Sequence, residues 1–249
     1  MIVHVVAVVK NEEVILPYML RHYSTFADTI FIVDQQSTDN TREIVSACPK
    51  AVLYDYPYTN GYNKEEIVEF IVDFYKVYCR GVADWVILVD ADEFVYHTDI
   101  LQVLREAKAG PPTVLSCSGY AMISDRLPIT SGQIYDELKF GIRSHAFDKP
   151  IIIDPAFDFI FGVGKHWVRL PEGVKRKRAG IILLHYRDLS LEYSLARNRK
   201  NCANYSRCDR YDHSKVTKET FFDRVRHKLE HRTVDRYFNA MANRTQVVQ

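Results

Sequence analysis

Residues 84–96 read DWVILVDADEFVY. Four apolar residues, Val86-Ile87-Leu88-Val89, run directly into Asp90-Ala91-Asp92-Glu93, three carboxylates within four positions. A short uninterrupted apolar run is the pattern of a strand covered on both faces. In open α/β sheets ligands bind beyond the carboxyl ends of the strands, so these acids stand where a ligand would sit. Asp90 and Asp92, with only the small Ala91 between them, can point the same way from an extended segment. Two converging carboxylates repel unless a cation lies between them. Hard oxygen donors with open positions suit Mg²⁺ or Mn²⁺ shared with a substrate's phosphates. The competing reading is a helix N-terminal region, where the dipole favours acids. The next helix signal is at Thr98-Asp99, too far along for Asp90 to cap it.

Strands and helices alternate on the N-terminal side of this stretch. Residues 2–9 (IVHVVAVV), 29–33 (TIFIV), 51–56 (AVLYDY) and 85–90 (WVILVD) read as strands. Residues 13–26, with Pro17 near the start, the segment TREIVSAC capped by Thr38 or Asp39, residues 63–79 and residues 98–109 read as helices. The order predicts a doubly wound, mostly parallel sheet as a nucleotide-binding half. After Pro111-Pro112 the texture changes. TVLSCSGYAMI, KPIIID, DFIFGVGKHWV and IILLHY (181–186) read as strands without helices between them. From Leu189 the chain turns helical and basic, with 14 Lys and Arg against 8 Asp and Glu over residues 187–249.

The chain has 249 residues, 47% hydrophobic, enough for one large domain or a domain with an appendage. A net charge of +1 gives no global field that would favour nucleic acid. No apolar stretch reaches the roughly 18 residues needed to span a bilayer. The N-terminal apolar run lacks a basic flank and meets Lys10-Asn11-Glu12-Glu13, so it reads as a core strand, not a signal peptide. Five scattered cysteines with no CxxC pair argue against a zinc site and suit a reducing, cytoplasmic setting.

Three segments together, Lys10-Asn11-Glu12-Glu13, residues 32–41 (IVDQQSTDNT) and residues 85–94 (WVILVDADEF), resemble a family 2 glycosyltransferase of the GT-A fold. The branch they most resemble carries a D-x-D-E-F version of the DxD motif. The resemblance covers residues 1–110 well, thins over 111–190 and is absent beyond. It implies an α/β fold of the GT-A type: a doubly wound, mostly parallel nucleotide-binding half, a mixed-strand acceptor half and a helical C-terminal tail. On that reading residues 1–188 form the transferase domain, with a nucleotide-sugar half (1–110) and an acceptor half (111–188). Residues 189–249 are then a helical basic extension packed on it. The resemblance assigns Lys10, Asn11, Glu12 and Asp34 to the nucleotide sugar, and Asp90 and Asp92 to a Mn²⁺ or Mg²⁺ ion and the diphosphate. Where the family commonly has a second acid after Asp34, this chain has Gln35.

Candidates in the second half follow from the same resemblance. His185, in Leu183-Leu184-His185-Tyr186, matches a late strand whose histidine completes the metal site; a core histidine bonded to a carbonyl is the alternative. In Gly162-Val163-Gly164-Lys165-His166-Trp167, Lys165 or His166 could meet diphosphate oxygens, as could Lys149; the alternative is a hairpin bearing surface cations. A base for the acceptor hydroxyl is expected among Asp125, Asp136, Asp154 and Asp158. Asp158, set among aromatics in AFDFIFG where burial would raise its pKa, is the first choice and Asp125 the next.

The basic tetrad Lys175-Arg176-Lys177-Arg178 reads as a solvated turn. In the tail, Phe221, Phe222, Val225, Leu229, Val234 and Tyr237 recur at helical spacing, and the basic outer face of that helix suits peripheral contact with a membrane surface. The reading that follows is a metal-dependent transferase, inverting, moving a sugar from a nucleotide-diphosphate sugar to a hydroxyl of a glycan or lipid-linked acceptor. Its partners include no nucleic acid. The rival classes are a non-catalytic glycan- or nucleotide-binding module and a sugar-phosphate nucleotidyltransferase. The glycine-free VVAVVKNEE argues against the latter, which would begin with a Gly-rich loop.

Overall fold

The computed structural model describes residues 1–57, 63–204 and 235–248. The chain begins with β1 (Val3–Val9), α1 (Leu16–Tyr23), β2 (Thr29–Asp34), α2 (Thr41–Ser46), β3 (Ala51–Asp55), α3 (Lys64–Tyr78) and β4 (Trp85–Asp90). It continues through β5 (Glu93–Tyr96), α4 (Ile100–Lys108), β6 (Thr113–Ile123), α5 (Ile134–Glu137), β7 (Phe140–Arg143) and β8 (Lys149–Ile153). The remainder is β9 (Ile160–Phe161), β10 (Val168–Arg169), β11 (Lys175–Asp188), α6 (Leu191–Asn204) and β12 (Thr245–Gln246). The chain folds as two compact units.

Among the described residues, the first unit comprises 1–57, 63–120 and 143–185. Its sheet has the order β3-β2-β1-β4, all parallel, continued by β8 antiparallel to β4 and β6 antiparallel to β8. β1 lies at the centre of the parallel part, and Val3, Val5, Val6 and Ala7 are 0% exposed, as expected for a strand with helices on both sides. The parallel register aligns the strand ends: Val9 faces Asp34, Val8 faces Asp90 and Asp34 faces Asp55. Strand spacing of about 4.8 Å therefore sets Asp34 and Asp90 roughly 10 Å apart, on either side of the end of β1. Helix starts follow local chemistry. Asn63 and Asp99 accept the N–H of Glu65 and Gln102 as side-chain caps, and Pro17 occupies the first turn of α1.

The GT-A type α/β architecture read from the sequence is present, with three local corrections. β4 does not run on to a loop: after a turn at Ala91-Asp92 the chain reverses into β5, which pairs antiparallel with β11, His185 opposite Glu93. Residues 158–168 form only the two-residue strands β9 and β10 around a 3-10 turn, Val163–Lys165. The basic tetrad is not a turn. Lys175 to Arg178 are the exposed first residues of β11, with Arg178 3.2 Å from Asp148 and Arg176 bonded to Ser116 Oγ.

Among the described residues, the second unit comprises 121–142, 186–204 and 235–248. Within it, β12 pairs with β7, Tyr186 Oη donates to Leu138 O, Tyr237 Oη donates to Ser124 O, and Arg236 lies 2.7 Å from Asp188. Residues 191–204 and 235–243 are helical. Most of the expected amphipathic segment, Phe221 to Val234, lies outside the described residues; Tyr237 is buried and Phe238 exposed. Among the described residues no helix is long and apolar enough to cross a membrane.

Candidate active site

The turn between β4 and β5 gathers charge from four parts of the first unit. Asp90, at the end of β4, has a side chain 45% exposed, whereas Asp92 is 1% and Glu93 0% exposed. Asp90 Oδ1 lies 2.6 Å from Lys165 Nζ, and Oδ2 lies 3.7 Å from Lys149 Nζ. Lys149, the first residue of β8, is buried and places Nζ 2.5 Å from Glu93 Oε1. The other Glu93 oxygen accepts the Asp90 N–H at 3.1 Å, closing the turn on itself. Asp92 Oδ2 lies 2.8 Å from His185 Nε2, and the imidazole packs edge-on to Phe147. His185 Nδ1 is buried with no hydrogen-bond partner among the described residues.

The electrostatics follow from this crowding. Burial pushes the Asp90 carboxyl up, but the ammonium groups of Lys165 and Lys149 outweigh it and hold the group well below the usual carboxylate range. Burial alone would lower the Lys149 pKa, yet Glu93 and Asp90 outweigh it and raise it above its ordinary value. His166 follows Lys165 on the exposed side of the turn, and burial together with the Lys149 charge lowers its pKa.

The turn is fixed from behind by α1. Tyr23 Oη donates to Glu93 O at 2.8 Å and accepts the Val95 N–H at 3.0 Å, while His22 Nε2 bonds Val95 O at 2.9 Å. Phe94, fully buried, packs against both rings.

A second cluster lies at the ends of β1 and β2. Lys10, Asn11 and Glu12 are half-buried just after β1, Asn11 with φ of 54°. Asn11 N–H donates to Ser37 Oγ, Asn11 Oδ1 accepts the Thr38 N–H, and Glu12 N–H donates to Thr41 Oγ1, stitching the two loops together. Asp34 is fully buried and committed internally: it accepts from the Ser37 N–H and hydroxyl and from Arg42, which also bridges to Asp55 at 2.6 Å. Gln35 is buried beside it, and its Nε2 has no partner among the described residues.

The structure thus brings Asp90, Asp92, Lys149, Lys165 and His185 together and adds Glu93. Glu93 had been read only as part of an acidic run; its burial partner lies 56 positions away, and no local signal announces it. The proposed burial of Asp158 does not hold. Its side chain is 71% exposed, bonded to Arg80 at 2.6 Å with Lys76 at 3.6 Å, and the Arg80 bond lowers its pKa instead of raising it. Neighbours on an extended chain point to opposite sides, so buried Phe159 leaves Asp158 in solvent. Asp154 is paired with Lys108, and Asp136 caps α5. Asp125 is exposed in the second unit.

Comparison with known proteins gives the fold a family. No curated protein matches the chain in sequence. Among solved structures, it is similar to glucosyl-3-phosphoglycerate synthase from Mycobacterium tuberculosis in complex with Mn²⁺, UDP-glucose and phosphoglyceric acid, at 14% identity and a TM-score of 0.44 over 85% of this chain and 81% of that one. It is similar to S. aureus TarS at 13% identity and a TM-score of 0.42, spanning 85% of this chain but only 41% of TarS. A 4-diphosphocytidyl-2C-methyl-D-erythritol synthase aligns at 14% identity and a TM-score of 0.38, over 62% of this chain and 76% of that one. The model of glycosyl transferase family 2 matches residues 4–168, a span that contains the β1 and β2 loops and the whole β4–β5 turn, and the chain belongs to that family.

Proposed function

We propose that the β4–β5 turn binds the diphosphate of a nucleotide-sugar donor together with a Mn²⁺ or Mg²⁺ ion, and that the enzyme transfers the sugar with inversion to a hydroxyl of a glycan or lipid-linked acceptor. The observation that carries the reading is Asp90 on a doubly braced strand end flanked by Lys149 and Lys165, with buried Asp92 two residues on and bonded to His185. The donor set fits a hard divalent ion. Asp90 and Asp92 offer carboxylate oxygens, and His185 Nε2 lies 2.8 Å from Asp92 Oδ2. Among the described residues no three His, Cys, Asp or Glu side chains form a metal cage. When bound, the ion would act as a Lewis acid that neutralises charge developing on the departing diphosphate.

The chain's own residues supply the rest. Lys149 keeps Glu93 neutralised and so holds the turn, and Lys165 and exposed His166 are positioned for phosphate oxygens. The nucleoside lies beyond β1 and β2, among Lys10, Asn11, Glu12 and Asp34, where Gln35 carries an unsatisfied amide donor. The buried Glu93 and Phe94 give the last two letters of the D-x-D-E-F version a structural purpose, which supports that branch. For the acceptor hydroxyl, Asp158 is engaged by Arg80, which leaves Asp125 as the proposed base. We keep residues 1–110 as the donor half and 111–188 as the acceptor half, and peripheral membrane contact for the basic tail.

A thermal-shift panel of UDP, GDP, dTDP and CMP with Mn²⁺, Mg²⁺ or EDTA tests the reading, with Asp90→Asn and Asp92→Asn as controls. Ligand at 100 times its Kd adds about 2.7 kcal/mol of stability. A metal-dependent shift with one nucleotide, absent from the variants, and release of that nucleotide from its sugar conjugate are expected. A shift without turnover would leave a binding module, and no shift at all would remove the diphosphate site.

A further inference from the structure

Lys165 is held in an unusual way. Its ammonium is 2.6 Å from Asp90 Oδ1 and the residue is 4% exposed, yet its backbone has φ of 60°, directly after Gly164 at 71°. A left-handed conformation is costly for a residue with a long side chain and persists only where the surroundings impose it. Here the Lys165 N–H donates to Gly162 O at 2.8 Å, and Gly162 N–H donates to Trp167 O at 3.1 Å. The Trp167 indole lies directly over Gly162, where a Cβ would sit 1.9 Å from Nε1. The turn is therefore built so that the lysine reaches back into the acidic cluster.

The charges there are close to balanced. Asp90, Asp92 and Glu93 carry three formal negative charges and Lys149 and Lys165 two positive ones, with His185 counted neutral, leaving one negative charge. Without Lys165 the cluster would hold two, matching a divalent ion. With Lys165 in place, an ion arriving alone must displace an ammonium from Asp90 and leaves an excess of positive charge. An ion arriving with a diphosphate brings the anion that Lys165 can transfer to, and an ammonium is a strong phosphate partner.

We infer that Lys165 is a built-in counterion: it occupies Asp90 in the free protein and moves to the diphosphate oxygens of the donor, so that metal binds as part of a metal–nucleotide complex and only weakly alone. Lys149, 3% exposed and committed to Glu93, stays in place. The inference rests on the diphosphate reading above.

The test separates two affinities that this arrangement drives in opposite directions. Mn²⁺ binding to the intact protein is followed by loss of the free-ion electron paramagnetic resonance signal, without nucleotide. Binding of whichever of UDP, GDP, dTDP or CDP binds the wild type is followed by calorimetry at saturating Mn²⁺. Lys165→Met is expected to tighten Mn²⁺ alone by about tenfold and to weaken the nucleotide by about tenfold, the size of one close charge contact. Lys165→Arg should retain both wild-type values, and Lys165→Gln should behave as Lys165→Met if methionine disturbs the fold. Loss of both affinities, or no change in Mn²⁺ binding, would overturn the counterion role while leaving the transferase reading intact. A wild type that binds neither Mn²⁺ nor any of the four nucleotides would overturn both.

Discussion

Lys149 Nζ lies 2.5 Å from Glu93 Oε1, with the two side chains 3% and 0% exposed. Glu93 in turn fixes the backbone of Asp90, so the ion pair braces the strand end that presents the candidate ligands. Deleting one partner of such a pair strands a buried charge and costs about 3–5 kcal/mol, whereas removing both together costs far less. Lys149→Met is therefore expected to lose about 3–5 kcal/mol of unfolding free energy, and Lys149→Met with Glu93→Gln to recover much of it. Urea denaturation of the two single variants and the double variant closes the cycle. Strictly additive losses would show that the two groups do not act as a pair.

The Tyr23 hydroxyl serves β5 twice, donating to Glu93 O and accepting from Val95 N. Tyr23→Phe leaves a buried carbonyl and a buried N–H unsatisfied, at about 1–3 kcal/mol. Hydrogen exchange gives the local readout: the Val95 amide should exchange faster in the variant, with the β1 amides changed only by the global loss of stability. Equal acceleration throughout would mean that the hydroxyl does not hold β5 in particular.

The parallel core was legible because β1, β2 and β4 are buried on both faces and so are written as unbroken apolar runs. β3, half-exposed at the sheet edge, was still marked by alternation with α2 and α3. β5 was not legible. It has four residues, starts on a glutamate, and owes its existence to β11, whose His185, opposed to Glu93, lies 92 positions further along the chain. The same holds for the tetrad in β11, whose four residues are exposed although they belong to the strand, so that composition suggests a turn. At the site, acids at strand ends could be read locally. The lysines that neutralise them could be named but not assigned, because Lys165 to Asp90 spans 75 positions and Lys149 to Glu93 spans 56.

Gly162 is the floor of the Trp167 indole, and a methyl group there would overlap Nε1 and Cε2. The protein has two tryptophans, Trp85 at 1% and Trp167 at 54% exposure, so the exposed one can be followed by acrylamide quenching. Gly162→Ala is expected to change the quenchable component without changing that of Trp85. The cost should be about 1–3 kcal/mol, the range for overpacking relieved by a shift of one side chain. Trp167→Ala in the same background should remove that cost. An unchanged quenching profile in Gly162→Ala would contradict the close approach.

Asp148 gathers the Gly119 N–H, Arg143 and Arg178, with His145 Nδ1 at 3.5 Å. Burial raises the Asp148 carboxyl, but the Arg143 hydrogen bond, the Gly119 N–H and the two guanidinium charges outweigh it and bring it to about 2. A folded pKa below the unfolded one stabilises above the unfolded value near 3.9, and the gain disappears as pH falls through the folded value. Wild type and Asp148→Asn should thus differ by about 2 kcal/mol more at pH 6 than at pH 2. Urea midpoints at both pH values measure this, and a difference independent of pH would show that ionised Asp148 is not what the arginines hold.

His22 titrates with the opposite chemistry but the same sign. Its ring is buried, which lowers its pKa to about 4 against a smaller opposing effect from the bond to Val95 O. Between pH 4 and 6.5 the unfolded chain binds a proton that the folded chain refuses, so stability rises with pH across that window and is complete above it. The span corresponds to about 3 kcal/mol. His22→Gln cannot take up that proton, so its urea midpoint should lie below the wild type at pH 7 and approach it as the pH falls towards 4. Because the proton must enter beside Val95, the wild type should also lose protection of the β5 amides in that range before the β1 amides are affected. A gap between the two proteins that stays constant from pH 7 to pH 4 would place the His22 ring in contact with water.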